Sequence, residues 1–249
     1  MVIIRDEKRI ERLSRVSKGV SLFGIVSLIG GLVLALTTGA EGDGPVTQYL
    51  GSTENVFRVQ LAALGIGWIC SQIGMYLAHR YVRSPRPDEV LDEALGRIAK
   101  NGRLYHYVLP ASHVLLSASG IIIFLAKYQT GNITVADDKW KQTGLGLRRF
   151  FGQENLGNPT READNQLQLL ADFIRKNAPE IEELPMATLI VFTHIGQKEL
   201  DVNNTRIPTM HHSKVKSYLR RKRRNQPIDQ ETYQALQHAF DEKAKHILE

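Results

Sequence analysis

"SHVLLSASGIIIFLAKYQTGNI", Ser112 to Ile133, decides how the second half of this 249-residue chain is read. Six apolar residues in a row, Ile121 to Ala126, end on Lys127, and Gly131 follows in a turn. An unbroken apolar run of this length reads as a strand covered on both faces. His113–Leu116 is a second short apolar run, and "SASG", Ser117 to Gly120, is a turn between the two. The pair is expected as an antiparallel hairpin. A lysine at the end of so apolar a strand needs a partner or water, and it is the first candidate for chemistry.

On the N-terminal side, "RSPRPDEV" (Arg83 to Val90) is a linker and a helix start. Pro85 and Pro87 break what precedes them, and Asp88 and Glu89 suit the positive end of a helix dipole. Val90, Leu91, Ala94, Leu95 and Ile98 form an apolar stripe to about residue 100, before Asn101-Gly102. Leu104 to Leu109 is a further strand candidate. On the C-terminal side a loop is expected over about 131–157, then a helix from Thr160 to Lys176 with Leu167, Leu170, Phe173 and Ile174 on one side. "MATLIVFT" (Met186 to Thr193) is another buried strand, with His194 at its end. A short helix near Ser213 to Arg220 follows the polar His211-His212 stretch, which reads as solvated. A last helix, Asp229 to Leu248, carries Tyr233, Leu236, Phe240 and Ile247 on one stripe and is capped by Asp229. The order helix, three strands, helix, strand is α/β, with an antiparallel hairpin feeding a mixed sheet.

The first third is different. Gly19 to Ala40 holds no charged side chain, and neither does Val59 to Ala78; each is long enough to cross a bilayer. Cleaved leaders have shorter apolar runs and a small-residue cleavage site, which the first stretch lacks. Arg5, Lys8, Arg9, Arg12, Arg15 and Lys18 precede the first span, and Arg80, Arg83 and Arg86 follow the second. The loop from Glu41 to Phe57 has no Lys or Arg. By the positive-inside rule the chain is a multi-pass protein of the cell membrane, with both termini and the main domain cytoplasmic. Arg58 is expected to snorkel at the outer edge of the second span. Small residues four apart, Gly31 and Ala35, Gly67 and Ser71, Gly74 and Ala78, are expected to let helices approach closely.

The formal charge is +6 and the pI near 9.4, which suits nucleic acid, an anionic membrane surface or a merely solvated one. One cysteine, Cys70, excludes an intrachain disulfide and a CxxC zinc site. No strand-linked GxGxxG, P-loop, GxSxG or HExxH is present. "RRKRR" (Arg220, Arg221, Lys222, Arg223 and Arg224) is a candidate phosphate-binding run.

Taken together, the opening helix with Glu89 and Glu93, the quoted hairpin, "NPTREADNQLQLL" (Asn158 to Leu170) and "LIVFT" (Leu189 to Thr193) resemble the NERD (nuclease-related) domain, a branch of the PD-(D/E)XK nuclease superfamily. The resemblance covers about residues 88–200 and implies a restriction-endonuclease-like mixed sheet. In that family the hairpin reads Asp-His, apolar strand, Gly, apolar strand, Glu-x-Lys. Here the metal-binding aspartate falls on Ser112, beside the retained His113, and the strand glutamate falls on Leu125. Lys127 is kept, and the glutamine expected after the Asn-Pro word falls on Glu162.

Strand residues two apart share a face, so Leu125 stands where the family keeps a charged ligand next to Lys127. Mg²⁺ wants near-octahedral oxygen ligands, and a leucine and a neutral serine do not supply them. No cofactor is expected; Mg²⁺ enters only if Glu89, Glu93 and Glu162 rebuild the site around Lys127. The plan read from sequence is a basic N-terminus (1–18), a span (19–40), a short outside loop (41–57), a second span (58–79), the nuclease-related domain (88–200), and a basic segment with the last helix (201–249). The leading reading is a membrane-anchored, catalytically inactive domain binding nucleic acid or a protein partner. The alternatives are an active Mg²⁺-dependent nuclease with a relocated carboxylate, and a structural or scaffold membrane protein that touches no nucleic acid. The sequence sets no oligomeric state.

Overall fold

The computed structural model describes residues 1–37, 45–96, 102–146, 154–181, 186–222 and 228–248. The chain divides into two compact units, one holding Met1–Arg9, Pro85–Gly146 and Asn155–Glu249, the other built on Ile10–Ser84.

The first unit is a mixed sheet with helices on both faces. Its strands are β1 (Val2–Arg5), β2 (Arg103–His106), β3 (His113–Ser117), β4 (Gly120–Lys127), β7 (Met186–Phe192) and β9 (Thr209–His211), ordered β1-β2-β3-β4-β7-β9. β2, β3 and β4 run antiparallel in turn, and β4–β7, β7–β9 and β1–β2 are parallel pairs. The expected hairpin is present, with Ser117 opposite Gly120. Side chains alternate along β4. Phe124 enters a core with Leu91 and Leu95 of α4 (Pro87–Leu95) and Val215 and Leu219 of α6 (His212–Lys222). Ile121 and Ile123 enter the opposite core, with Leu170 and Ile174 of α5 (Pro159–Asn177) and Leu236 and Phe240 of α7 (Gln230–Leu248). Both faces are dry, which is why the strand sequence shows no polar alternation.

Three expectations need correction. The loop over 131–157 contains a second sheet: β5 (Asn132–Ala136) and β6 (Lys139–Thr143) form a hairpin, and β8 (Leu200–Asn203) pairs parallel with β5. Its turn is Asp137-Asp138, both at positive φ (49° and 59°), the geometry that hairpins favour but normally encode with Asn-Gly or Asp-Gly. The strand expected over Leu104–Leu109 ends at His106, because Tyr107 takes φ 62° and its N–H turns back to Ser112 O at 2.8 Å. The basic N-terminal tail is not only a tail, since Val2–Arg5 is the edge strand β1. The expected run of the opening helix to residue 100, with Ile98, lies outside the described residues beyond Gly96.

The second unit holds α1 (Glu7–Thr37, whose first residues belong to the sheet unit), α2 (Pro45–Leu50) and α3 (Thr53–Tyr81). α1 and α3 are both long and apolar enough to cross a membrane. Their large apolar side chains point outward: Leu22, Phe23, Leu32 and Leu36 on α1, and Phe57, Leu61, Trp68 and Ile69 on α3, are all more than half exposed. The buried positions are mostly small. On α1 they are Ile10, Ser17, Gly24 and Gly31, a spacing of seven; on α3 they include Gly67 and Gly74. Close packing therefore follows a heptad seam rather than the four-residue spacing expected. A Cβ on Gly24 would lie 2.9 Å from Cys70 Cβ, and Ser17 Oγ donates to Gly74 O at 3.1 Å across the seam. At the start of α3 Arg58 pairs with Glu54 at 2.6 Å, both exposed. Residues 38–44 of the expected first span and outside loop lie outside the described residues.

Candidate functional site

Lys127 ends β4 with its residue only 2% exposed. A lone ammonium at that depth would be held very unfavourably. Its Nζ donates to both carboxylate oxygens of Glu162, each at 2.7 Å, and approaches Leu156 O at 3.3 Å. Glu162 sits in the first turn of α5, whose N-cap Asn158 accepts from Arg161 N at 3.1 Å. Gly157 at φ 65° turns the chain into that cap, and a Cβ there would stand 3.2 Å from Glu162 Oε1. The glycine thus leaves room for the carboxylate. Trp140 of β6 donates to Thr160 Oγ1 at 2.8 Å, so the hairpin missed from sequence holds the start of this helix.

Leu125, on the same side of β4, is 5% exposed and packs with Ile133, Leu156, Ala163, Ile190 and Phe192. Ser112 lies in the turn before β3, and its N–H donates to Gln166 Oε1 at 3.3 Å. Glu162 and Gln166 are one helical turn apart, so one face of α5 reaches both Lys127 and the Ser112 turn. Glu89 and Glu93 are not brought to this place. They lie on α4, which covers the Phe124 face of the sheet. Glu89 accepts from Arg86 N at 2.8 Å and pairs with the Arg86 guanidinium, while the charge of Glu93 acts on His212.

A buried polar chain nearby had no pattern in the sequence to reveal it. Asp88 is fully buried; Arg5 Nε comes to 2.8 Å from it, off the hydrogen-bonding axis, and Arg86 Nε lies 3.2 Å away. Arg5 also pairs with Asp92. Asp92 Oδ1 lies 2.9 Å from His106 Nε2, and His106 Nδ1 lies 2.8 Å from His113 Nδ1. Two ring nitrogens at that distance share one proton, one donating and one accepting. His106 and His113 face each other across the β2–β3 register, so only the pairing, not the spacing, unites them.

The histidines after β7 and at β9 are engaged structurally. His194 Nε2 lies 3.1 Å from Pro85 O. His211 Nε2 lies 3.0 Å from Ile195 O, and its ring is 4.2 Å from that of His212. Burial, first, holds both His211 and His212 below the ordinary value of 6.5; Ile195 O opposes this at His211, and Glu93 opposes it at His212. The unfolded chain then binds more protons just below pH 6.5. Their contribution to stability is full above that value and is lost as pH falls through the lower folded values. The melting temperature should fall between about pH 7.5 and about pH 5.5, and fall less in a His211→Gln/His212→Gln double variant. An unchanged profile in that variant would remove both rings as the cause.

The domain is a mixed α/β sheet whose charged strand end is set against the first turn of a helix. Residues 89–193 match the family model of the nuclease-related domain, NERD, a family whose general kind is the PD-(D/E)XK nucleases. Searches of curated proteins and of solved structures found no match. The Mg²⁺ such domains imply does not fit the residues present. Ser112 is neutral, Leu125 is apolar, and the Glu162 carboxylate is taken by an ammonium at 2.7 Å. Among the described residues, no group of three or more His, Cys, Asp or Glu side chains is placed to hold a metal ion.

Proposed function

We propose that this protein is a membrane-anchored nuclease-related domain that binds nucleic acid at the cytoplasmic face without cutting it. The Lys127–Glu162 pair carries this reading. The lysine that would stabilise a transition state is neutralised inside the protein, and a leucine fills the neighbouring ligand position. One observation favours a second reading. Glu162 is a carboxylate beside Lys127 on another element, as a relocated ligand would be, so cleavage is the outcome against which the first reading is tested.

The membrane part rests on two apolar helices whose large side chains face outward and on the basic flanks. Tyr49 is 90% exposed and makes a better labelling site than Ser52, whose side chain caps α3. In a Cys70→Ala background, Tyr49→Cys should react with an impermeant maleimide in intact cells. Reaction only after permeabilisation would reverse the topology.

Metal should be indifferent to the wild-type domain, whose melting temperature should not respond to millimolar Mg²⁺. The Ser112→Asp/Leu125→Glu double variant, though less stable because a carboxylate enters an apolar cluster, should gain stability as Mg²⁺ rises. Either single change should gain less. Equal Mg²⁺ stabilisation of the wild type would mean that a metal site already exists.

A further inference from the structure

We infer that the outer face of α6 is a docking surface for the phosphodiester backbone of nucleic acid, separate from the strand-end site; this rests on the nucleic-acid reading above. Ser213, Lys216, Ser217, Arg220 and Arg221 line an open depression of about 530 Å³. Their spacing places them on one stripe of the helix, along about 12 Å of its axis. From His212 to Ile228 the sequence contains no Asp or Glu. The arginines of the sheet unit are otherwise largely paired: Arg5 with Asp88, Arg86 with Asp88, Arg103 with Asp241 and Arg206 with Asp164. Among the described residues, Lys214, Lys216, Arg220 and Arg221 take part in no ion pair, and all but Lys216 are exposed.

The helix is rigidly seated. Val215 and Leu219 are 0% and 6% exposed in the core shared with α4, so the cationic stripe is held outward. No large apolar side chain of α6 is exposed, and a helix that inserts into a bilayer surface needs such a face. The Ser213 and Ser217 hydroxyls are engaged by His211 Nδ1 and Lys214 O, so the cations carry the fit to phosphate oxygens, which accept charge-assisted hydrogen bonds. α6 covers the Phe124 face of the sheet, whereas α5 with Glu162 covers the Leu125 face. A strand held along α6 is thus held by the layer opposite to the one that bears Lys127 and Glu162.

The test uses the full chain in zwitterionic nanodiscs and a fluorescent oligonucleotide, single- or double-stranded, with affinity read by anisotropy across a salt series. Each lost phosphate contact lowers the slope of log K against log salt by about 0.7–0.9. A Lys216→Gln/Arg220→Gln/Arg221→Gln variant should bind at least ~10-fold more weakly at about 0.1 M salt and lose about two units of slope. Lys176→Gln, which removes an exposed cation of α5 on the other layer, should leave the slope unchanged. If wild type binds and the triple variant keeps its affinity and slope, α6 is not the surface, although the nucleic-acid reading survives. If wild type binds no oligonucleotide even at low salt, both fall. Triple-variant-sensitive binding only to vesicles rich in anionic lipid would overturn the inference in favour of a membrane surface.

Discussion

Replacing Glu162 with alanine should lower the stability of the nuclease-related domain by about 3 kcal/mol, whereas replacing Lys127 with methionine should cost about 1 kcal/mol or less. The asymmetry follows from burial. The Lys127 side chain is 3% exposed and that of Glu162 is 39% exposed. Removing the glutamate takes the carboxylate from a buried ammonium, and water admitted by the truncation offsets only part of that cost. Removing the lysine leaves a carboxylate that water already reaches, and methionine fills the apolar space of the stem. The chain has two tryptophans, and Trp140 contacts the start of α5. In a Trp68→Phe background its fluorescence therefore reports this region during urea unfolding. Equal losses for the two variants would mean that the pair is not the buried, charge-neutralised site described.

The second large effect lies at the N-terminus. Arg5→Ala should destabilise the same domain by about 3–4 kcal/mol, because it leaves the fully buried Asp88 with only Arg86 and takes the cation from Asp92. Arg5→Lys should recover only part of the loss, since one ammonium is a poor substitute for a planar guanidinium spanning two carboxylates. A neutral effect of Arg5→Ala would show that the Arg5 cation is not needed to hold Asp88 and Asp92. The expected effect also means that a fragment starting near Ser84 lacks both the edge strand and this cation, so it is a poor stand-in for the whole domain.

The parts of this fold legible in the sequence are those where one physical signal dominates. The β3–β4 hairpin and β7 stand out because strands buried on both faces are uninterrupted apolar runs. α5 stands out through Asn158-Pro159 and its stripe. The β5–β6 hairpin was hidden because its turn uses Asp137-Asp138 and because β6, "KWKQT", looks like loop. β1 was hidden because four residues before a basic helix gain their strand character only from pairing with Arg103–His106. At the site, the lost carboxylates at Ser112 and Leu125 and the kept Lys127 could be read directly. That Glu162 would close on Lys127 while Glu89 and Glu93 serve the other face depends on which side of the sheet each helix covers. The His106–His113 contact is likewise a product of register. Of the basic run, Arg220 and Arg221 are placed on α6, whereas Arg223, Arg224 and the side chain of Lys222 lie outside the described residues.

The central claim, that the protein binds nucleic acid while the neutralised Lys127–Glu162 pair leaves it unable to cut, meets its most direct test in a single-turnover assay. Full-length protein in excess is mixed with end-labelled DNA and RNA, single- and double-stranded, with Mg²⁺ or Mn²⁺ and with chelator. The account predicts salt-sensitive binding that needs no metal, and intact oligonucleotide over many hours. Metal-dependent cleavage that disappears in Glu162→Gln or Lys127→Ala would contradict it, and would show that Glu162 is a relocated catalytic carboxylate.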